Sequence, residues 1–439
     1  MGKTTRLPNL IIYMKNIRDL HFKDEIIPLF DFVNNEFSRD VLIQLLSEVP
    51  DSLEEVLWRQ DILKGFLGNE QLYRPFSYAR SELNEVYSFI RELREKNNDL
   101  QNSSLKMELL FGRVKRQKER GRLSQLLIFF HKIHHAYFSS IRTDAFPGDF
   151  KNKLEKVRRM FSDLEIEKHE PIVRKQGLTM TETRRLVRLL DEKIRVGEMD
   201  DFWKDLFLFE AWLSISKGIR KHRFVFPLFK DQGLSLTEFY HPLLKQPVKN
   251  TLTVKENVTL ITGPNMSGKS ILLKAICLCV YLGHLGLAVP AEKCELSFFE
   301  VISIAIDLND DIRSGYSHFM TEIKNLKAVV SAARDGKKCF AIFDELFRGT
   351  NAEDALAISK TTIEGLTRFP HSCFFISTHL YQLRDRIAKD RLISARYIEC
   401  NLVNELPVFT YKLRDGWSDL KIGQIIFEQE GLHALLSYL

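Results

Sequence analysis

The stretch Thr259–Ser270, TLITGPNMSGKS, constrains the fold more than any other part of the chain. Leu260, Ile261 and Thr262 read as the end of a buried strand. Gly263, Pro264, Asn265, Met266, Ser267, Gly268, Lys269 and Ser270 then fill the pattern G-x-x-x-x-G-K-S/T, and Ile271 to Ile276 open a helix. Strand, glycine loop and helix in that order imply a phosphate site. Gly263 and Gly268 permit backbone angles and a close approach that a Cβ would block. The loop amides and the helix N-terminus point positive ends at an anion. Lys269 is placed to reach the β- and γ-phosphates of a nucleotide, and Ser270 to ligate Mg²⁺.

Two further runs suit the same sheet. Lys338–Glu345, KCFAIFDE, is almost continuously apolar and ends in two carboxylates, as expected of a buried parallel strand. Ligands bind at the C-terminal ends of such strands. Asp344 is therefore expected to hold Mg²⁺, and Glu345 to orient the water that attacks the γ-phosphate. Ser372–Ser377, SCFFIS, leads into Thr378 and His379, where a histidine can sense or stabilise that phosphate. Asp310–Met320 is a polar, Ser/Gly-rich stretch ahead of a helix expected over 321–334; it is either an ordinary capped loop or one whose serine or amide meets an anion.

Residues 1 to about 230 read as helices instead. Val41, Leu42, Leu45 and Leu46 recur at helical spacing, and Pro50-Asp51-Ser52 ends one helix and caps the next. Amphipathic stretches follow at 75–97, 103–117, 121–141, 149–163, 179–196 and 201–219. Breaks are expected near Asn97-Asn98, Phe146-Pro147-Gly148, Glu170-Pro171 and Gly197. The texture changes near 225, where Phe224-Val225-Phe226 reads as a strand. From there strands alternate with helices to about 413, which argues for an α/β layer on a mostly parallel sheet. Arg113–Arg122, RVKRQKERGR, has six basic residues and one acid, and it is either a solvated face or a contact for nucleic-acid phosphates. His131, His134 and His135 could share one helix side, but no carboxylate or cysteine partner is evident and no metal is expected there.

Composition excludes some classes. A net charge of +6 permits a polyanionic partner without requiring one. No run approaches the roughly 20 apolar residues of a membrane span, so no membrane role is expected. The N-terminus lacks a signal-peptide core, and the six cysteines, at 277, 279, 294, 339, 373 and 400, form no metal-type pair. Reduced core cysteines in a cytoplasmic protein are the expectation.

Residues 263–270 (GPNMSGKS), 310–322 (DDIRSGYSHFMTE), 344–351 (DELFRGTN) and 376–379 (ISTH) together closely resemble the ATPase domain of the MutS mismatch-repair family. Tyr240-His241-Pro242 resembles that family's R-H-P segment, Leu57-Trp58-Arg59-Gln60 its L-x-R-Q, and 207–223 its long returning helix. The resemblance implies a P-loop ATPase domain of the ABC/MutS type over 231–439, preceded by an all-α lever domain over 1–230. It implies ATP and Mg²⁺ as cofactors and a homodimer with two composite ATP sites. Ser317 would complete the partner's site in trans, Asn265 would sit near that junction, and His379 would act as the switch histidine. ATP binding would close the dimer and hydrolysis reopen it.

Departures from the family pattern qualify what is expected of the ligand. Nothing resembles the mismatch-recognition segment with its F-x-E, His318 stands where the family has Thr, and no aromatic occupies Pro247-Val248. A reduced MutS-like switch on DNA is expected, with little preference for mismatches. The rival expectation is a switch acting on a ribosome, RNA or a protein partner. A transporter-type ATPase subunit is disfavoured by the GPNM loop, the R-G-T turn and the long helical half.

Overall fold

The computed structural model describes residues 22–98, 113–264, 266–306, 318–347, 349–387, 392–403, 406–418 and 422–437. Its chain divides into two compact units that interleave in sequence. One takes Phe30–Glu48 and Trp58–Lys221; the other takes His222–Leu439, Val49–Leu57 and the described residues before Phe30.

The first unit is helical: α1 Glu36–Ser47, α2 Leu53–Leu67 from Trp58 onward, α3 Arg80–Asn98, α4 Arg113–Ile133, α5 Gly148–Asp163, α6 Ile166–Lys175, α7 Met180–Arg195 and α8 Glu198–His222. Local signals start several of these. Asn35 is extended and its side chain accepts the Ser38 amide at 2.8 Å, capping α1. Thr179 and Glu182 form a reciprocal capping box on α7. Helix α8 is apolar on nearly all sides, so it lies buried as the centre of an aromatic core. Phe202 packs 5.0 Å from Phe130, and Phe209 lies 4.7 Å from Phe138 and 5.3 Å from Phe66. The buried Glu210 of α8 accepts from Asn35 Nδ2, Ser38 Oγ and Tyr78 OH at 2.7, 2.7 and 2.8 Å. Burial raises its carboxyl despite these donors. Arg59, from the L-x-R-Q segment, is buried and donates to Leu45 O and Glu48 O, closing the C-terminal end of α1.

Two local expectations fail here. Pro171 does not break the chain but lies inside α6, where it forfeits one amide bond to Glu167 O. Helix α4 runs through Gly121 and ends at Ile133 in a π-helical turn, His134–Phe138, rather than stopping at 117 and restarting at 121; residues 103–112 lie outside the described residues.

The second unit carries two sheets. Strands β1 Leu228–Lys230, β2 Leu234–Phe239, β3 Asn250–Val254 and a later β5 Lys293–Ser297 form one, in the order β1-β5-β2-β3. The other holds β4 Val258–Thr262, β6 Val301–Ala305, β7 Cys339–Phe343, β8 Cys373–Ser377, β9 Ile393–Val403 and β10 Leu406–Asp415, in the order β10-β9-β4-β8-β7-β6. Every neighbour pair in it is parallel except β9–β10. Strands β4, β6, β7 and β8 are buried at each position, as a parallel sheet covered on both faces requires. Its helices are α9 Lys269–His284, α10 His318–Arg334, α11 Ala352–Leu366, α12 Leu383–Ile387, α13 Ile422–Gln429 and α14 Leu432–Ser437.

The expected strand at Phe224-Val225-Phe226 does not form. Val225 forms an isolated bridge to Val289 instead, and the first strand among the described residues starts at Leu228. All six cysteines are free and buried, and burial pushes the Cys373 and Cys294 thiols up to about 12. No helix among the described residues is long and apolar enough to cross a membrane.

Candidate nucleotide site

Strand register decides which side chains meet. Ile261 of β4 lies beside Ser377 of β8, and Phe343 of β7 beside Ile376 of β8. The C-terminal ends of β4, β8 and β7 therefore share one sheet edge. Gly263, Ser377 and Asp344 follow from that alignment as neighbours.

The glycine loop leaves β4 at Gly263, whose φ of +142° and 3.0 Å clearance between a built Cβ and Ser267 Oγ suit only glycine. Ser267 N donates to Pro264 O at 3.3 Å, and Met266 is exposed in the left-handed region. Gly268, with φ +94°, caps α9. Lys269 is buried, and its Nζ donates to Gly263 O at 2.9 Å and Pro264 O at 3.0 Å. Burial lowers its ammonium, while Glu345 and then Asp344 push it back up. Asn265 lies outside the described residues.

Ser270 Oγ donates to Asp344 Oδ2 at 2.5 Å, and Ser377 Oγ donates to Asp344 Oδ1. Asp344 N is held by Ala305 O at 2.9 Å. Burial raises the Asp344 carboxyl, opposed by the two serine hydroxyls. Ser377 Oγ also accepts the Glu345 amide at 2.8 Å. Beyond it Glu345 and Phe347 both take left-handed φ, +51° and +65°. Each such non-glycine conformation costs about 1–3 kcal/mol and persists only where neighbours impose it. One restraint comes from α10: Glu322 Oε2 accepts the Phe347 amide at 3.1 Å. Burial raises the Glu322 carboxyl to about 7. His379 is exposed just past the end of β8. Ser317 and Arg348 lie outside the described residues.

Lys269, Ser270, Asp344 and Glu345 are thus brought together, and Ser267 lies in the same loop. Sequence reasoning missed Ser377 as the hydroxyl joining both carboxylate positions, although a serine closing an apolar strand was a visible signal. It also gave no role to Glu322, the last residue of the 310–322 segment. On the helical unit, Arg122 donates two bonds to Glu92, at 2.6 and 2.8 Å, and lies 4.8 Å over Phe89. Its guanidinium is thus engaged in an ion pair. The side chains of Arg113, Lys115 and Arg116 lie outside the described residues. The histidine group does have a carboxylate after all: Glu167 lies 3.5 Å from His131 and 3.0 Å from His134. No cluster of three or more His, Cys, Asp or Glu side chains able to hold a metal ion occurs among the described residues.

Residues 259–433 match the family model of MutS domain V. The chain is 27% identical to the DNA mismatch repair protein MutS of Roseiflexus sp. (strain RS-1), across 72% of this chain and 31% of that protein. The part of the chain from 259 to 433 is thus MutS-like. Similar proteins of the same name occur in Listeria welshimeri, 30% identical over 56% of this chain and 29% of that protein, and in Staphylococcus epidermidis, 26% identical over 70% and 37%. The chain spans about a third of the length of these MutS relatives. The matched region begins in β4 and takes in the glycine loop, Asp344, Glu345 and Ser377.

Proposed function

We propose that this MutS-like chain is a Mg²⁺-dependent ATPase working in DNA repair, as a homodimer that couples nucleotide state to DNA held by a helical lever. The observation that carries the reading is the Ser270–Asp344–Ser377 hydrogen-bonded group, with Lys269 and Glu345 beside it on one sheet edge. The residues fit ATP and Mg²⁺. Ser267 Oγ is buried in the glycine loop with no hydrogen-bond partner, an atom that an anion's oxygen or a loop amide shift could satisfy. A hydroxyl and a carboxylate already in mutual contact, Ser270 and Asp344, are the hard oxygen donors Mg²⁺ takes.

When bound, Mg²⁺ neutralises phosphate charge and polarises the phosphoryl oxygens. Lys269 exchanges its two carbonyl partners for phosphate oxygens, recovering a stronger, charge-assisted pair. The amides at the start of α9 add the positive end of the helix dipole. Glu345 orients the attacking water and accepts its proton, while Ser377 keeps the backbone of that carboxylate against Asp344. His379, exposed at the end of β8, contacts the γ-phosphate and reports its loss. Ser317, Asn265 and the loop around them are assigned to the composite dimer site on the family resemblance. DNA as the lever's ligand rests on the same resemblance, and a binding panel of matched duplex, mismatched duplex and RNA tests it.

The direct test of the nucleotide reading is ATP binding by the wild type and Lys269→Ala in the presence of Mg²⁺. The wild type should bind and Lys269→Ala should lose nearly all affinity. Equal binding by the two would remove the glycine loop from the reading.

A further inference from the structure

The turn that follows β7 carries Glu345, and its backbone is restrained from two sides. On the β8 side Ser377 Oγ accepts the Glu345 amide at 2.8 Å. On the other, Glu322 Oε2 of α10 accepts the Phe347 amide at 3.1 Å. Between the two lie the left-handed Glu345 and Phe347, a geometry that two non-glycine residues do not hold unaided. Phe347 is fully buried, with its ring edge-on to Phe319 at 6.1 Å between centroids. A Cβ at Gly349 would lie 3.1 Å from the Phe319 Cβ, so the far end of the turn is also pressed against the start of α10. Phe319 and Glu322 thus grip the turn from the first two turns of one helix. Glu322 is only 2% exposed, and burying a carboxylate is costly, so its contact with this turn is a specific feature of the fold.

We propose that Glu322 is a positioning residue for hydrolysis: by accepting the Phe347 amide it fixes the turn that aims the Glu345 carboxylate. The proposal rests on the reading of Glu345 as the group that orients water. It separates ATP binding, which Lys269 and the glycine loop serve, from the chemical step, which depends on the angle of this turn. A purely structural Glu322 would instead support stability alone.

The test compares Glu322→Ala and Glu322→Gln with wild type in ATP affinity, KM, kcat and thermal midpoint. Glu322→Ala should leave Kd and KM within about twofold while kcat falls by about 10²-fold, the size expected when a reacting group is displaced by roughly 1 Å. Glu322→Gln keeps an acceptor oxygen and should recover most of kcat. If Glu322→Ala does not fold, Phe319→Leu, which loosens the same turn, should lower kcat without raising KM. An unchanged kcat in folded Glu322→Ala or Phe319→Leu would overturn the proposal, as would a Glu322→Gln variant no better than Glu322→Ala. Wild-type hydrolysis lost in Glu345→Gln, measured alongside, keeps the two readings apart. If the wild type itself does not hydrolyse ATP, the ATPase reading fails first.

Discussion

Ser377 and His284 show how a single buried side chain sets the behaviour of its surroundings in this fold. Ser377 both donates to Asp344 and accepts from Glu345 N, so one hydroxyl holds two consecutive residues of the candidate site. His284, at the end of α9, is fully buried, with Nδ1 2.8 Å from Val280 O and Nε2 accepting the Phe299 amide at 2.8 Å. That pair of contacts defines a neutral imidazole protonated on Nδ1, and burial pushes its pKa down to about 4. The unfolded imidazole takes up a proton below about 6.5, so between 6.5 and 4 the unfolded state binds more protons than the folded one. Stability should therefore fall as pH drops through that window, with a contribution of roughly 3 kcal/mol from this residue. Thermal unfolding from pH 7 to 4 measures it, and His284→Gln should flatten the dependence. An identical pH profile in the variant would deny His284 that role.

Elements were legible where a single local signal determined them. Strand β4, the glycine loop and α9 follow from an apolar run, two glycines and a lysine, and β7 and β8 from apolar runs ending in polar residues. The side chains that tie those elements together were not legible. Ser377 meets Asp344 across 33 positions of chain and Glu322 meets Phe347 across 25, and only strand register and helix placement create either contact. Phe224-Val225-Phe226 misled because its composition suits a strand while its one β-bridge, Val225 to Val289, stands isolated. Pro171 misled differently. It is the sixth residue of α6, past the first turn in which proline is harmless, yet the helix continues to Lys175. The neighbouring Glu170 is buried and paired with Arg174, which helps hold the helix across the missing bond. Pro171→Ala should restore that bond and raise the stability of the helical unit by up to about 3 kcal/mol. A urea midpoint that falls instead would mean the proline is the better residue at this site.

At the scale of the whole molecule, the proposal is a dimer in which each ATP is shared. A Lys269→Ala chain should be inactive alone, and so should a Ser317→Arg chain. Mixed, they should form heterodimers with one intact pair, the glycine loop of the second facing Ser317 of the first, and recover part of the activity. No recovery would place Ser317 with its own subunit's nucleotide. That test presupposes the central claim, that the sheet edge holding Lys269, Asp344 and Glu345 hydrolyses ATP. The measurement that bears on it most directly is steady-state ATP hydrolysis by the wild type and Glu345→Gln, with ATP retention followed in the same samples. The account predicts Mg²⁺-dependent turnover by the wild type, and a Glu345→Gln chain that still binds ATP but turns it over about 10²-fold more slowly or worse. Turnover at the wild-type rate in Glu345→Gln would contradict it.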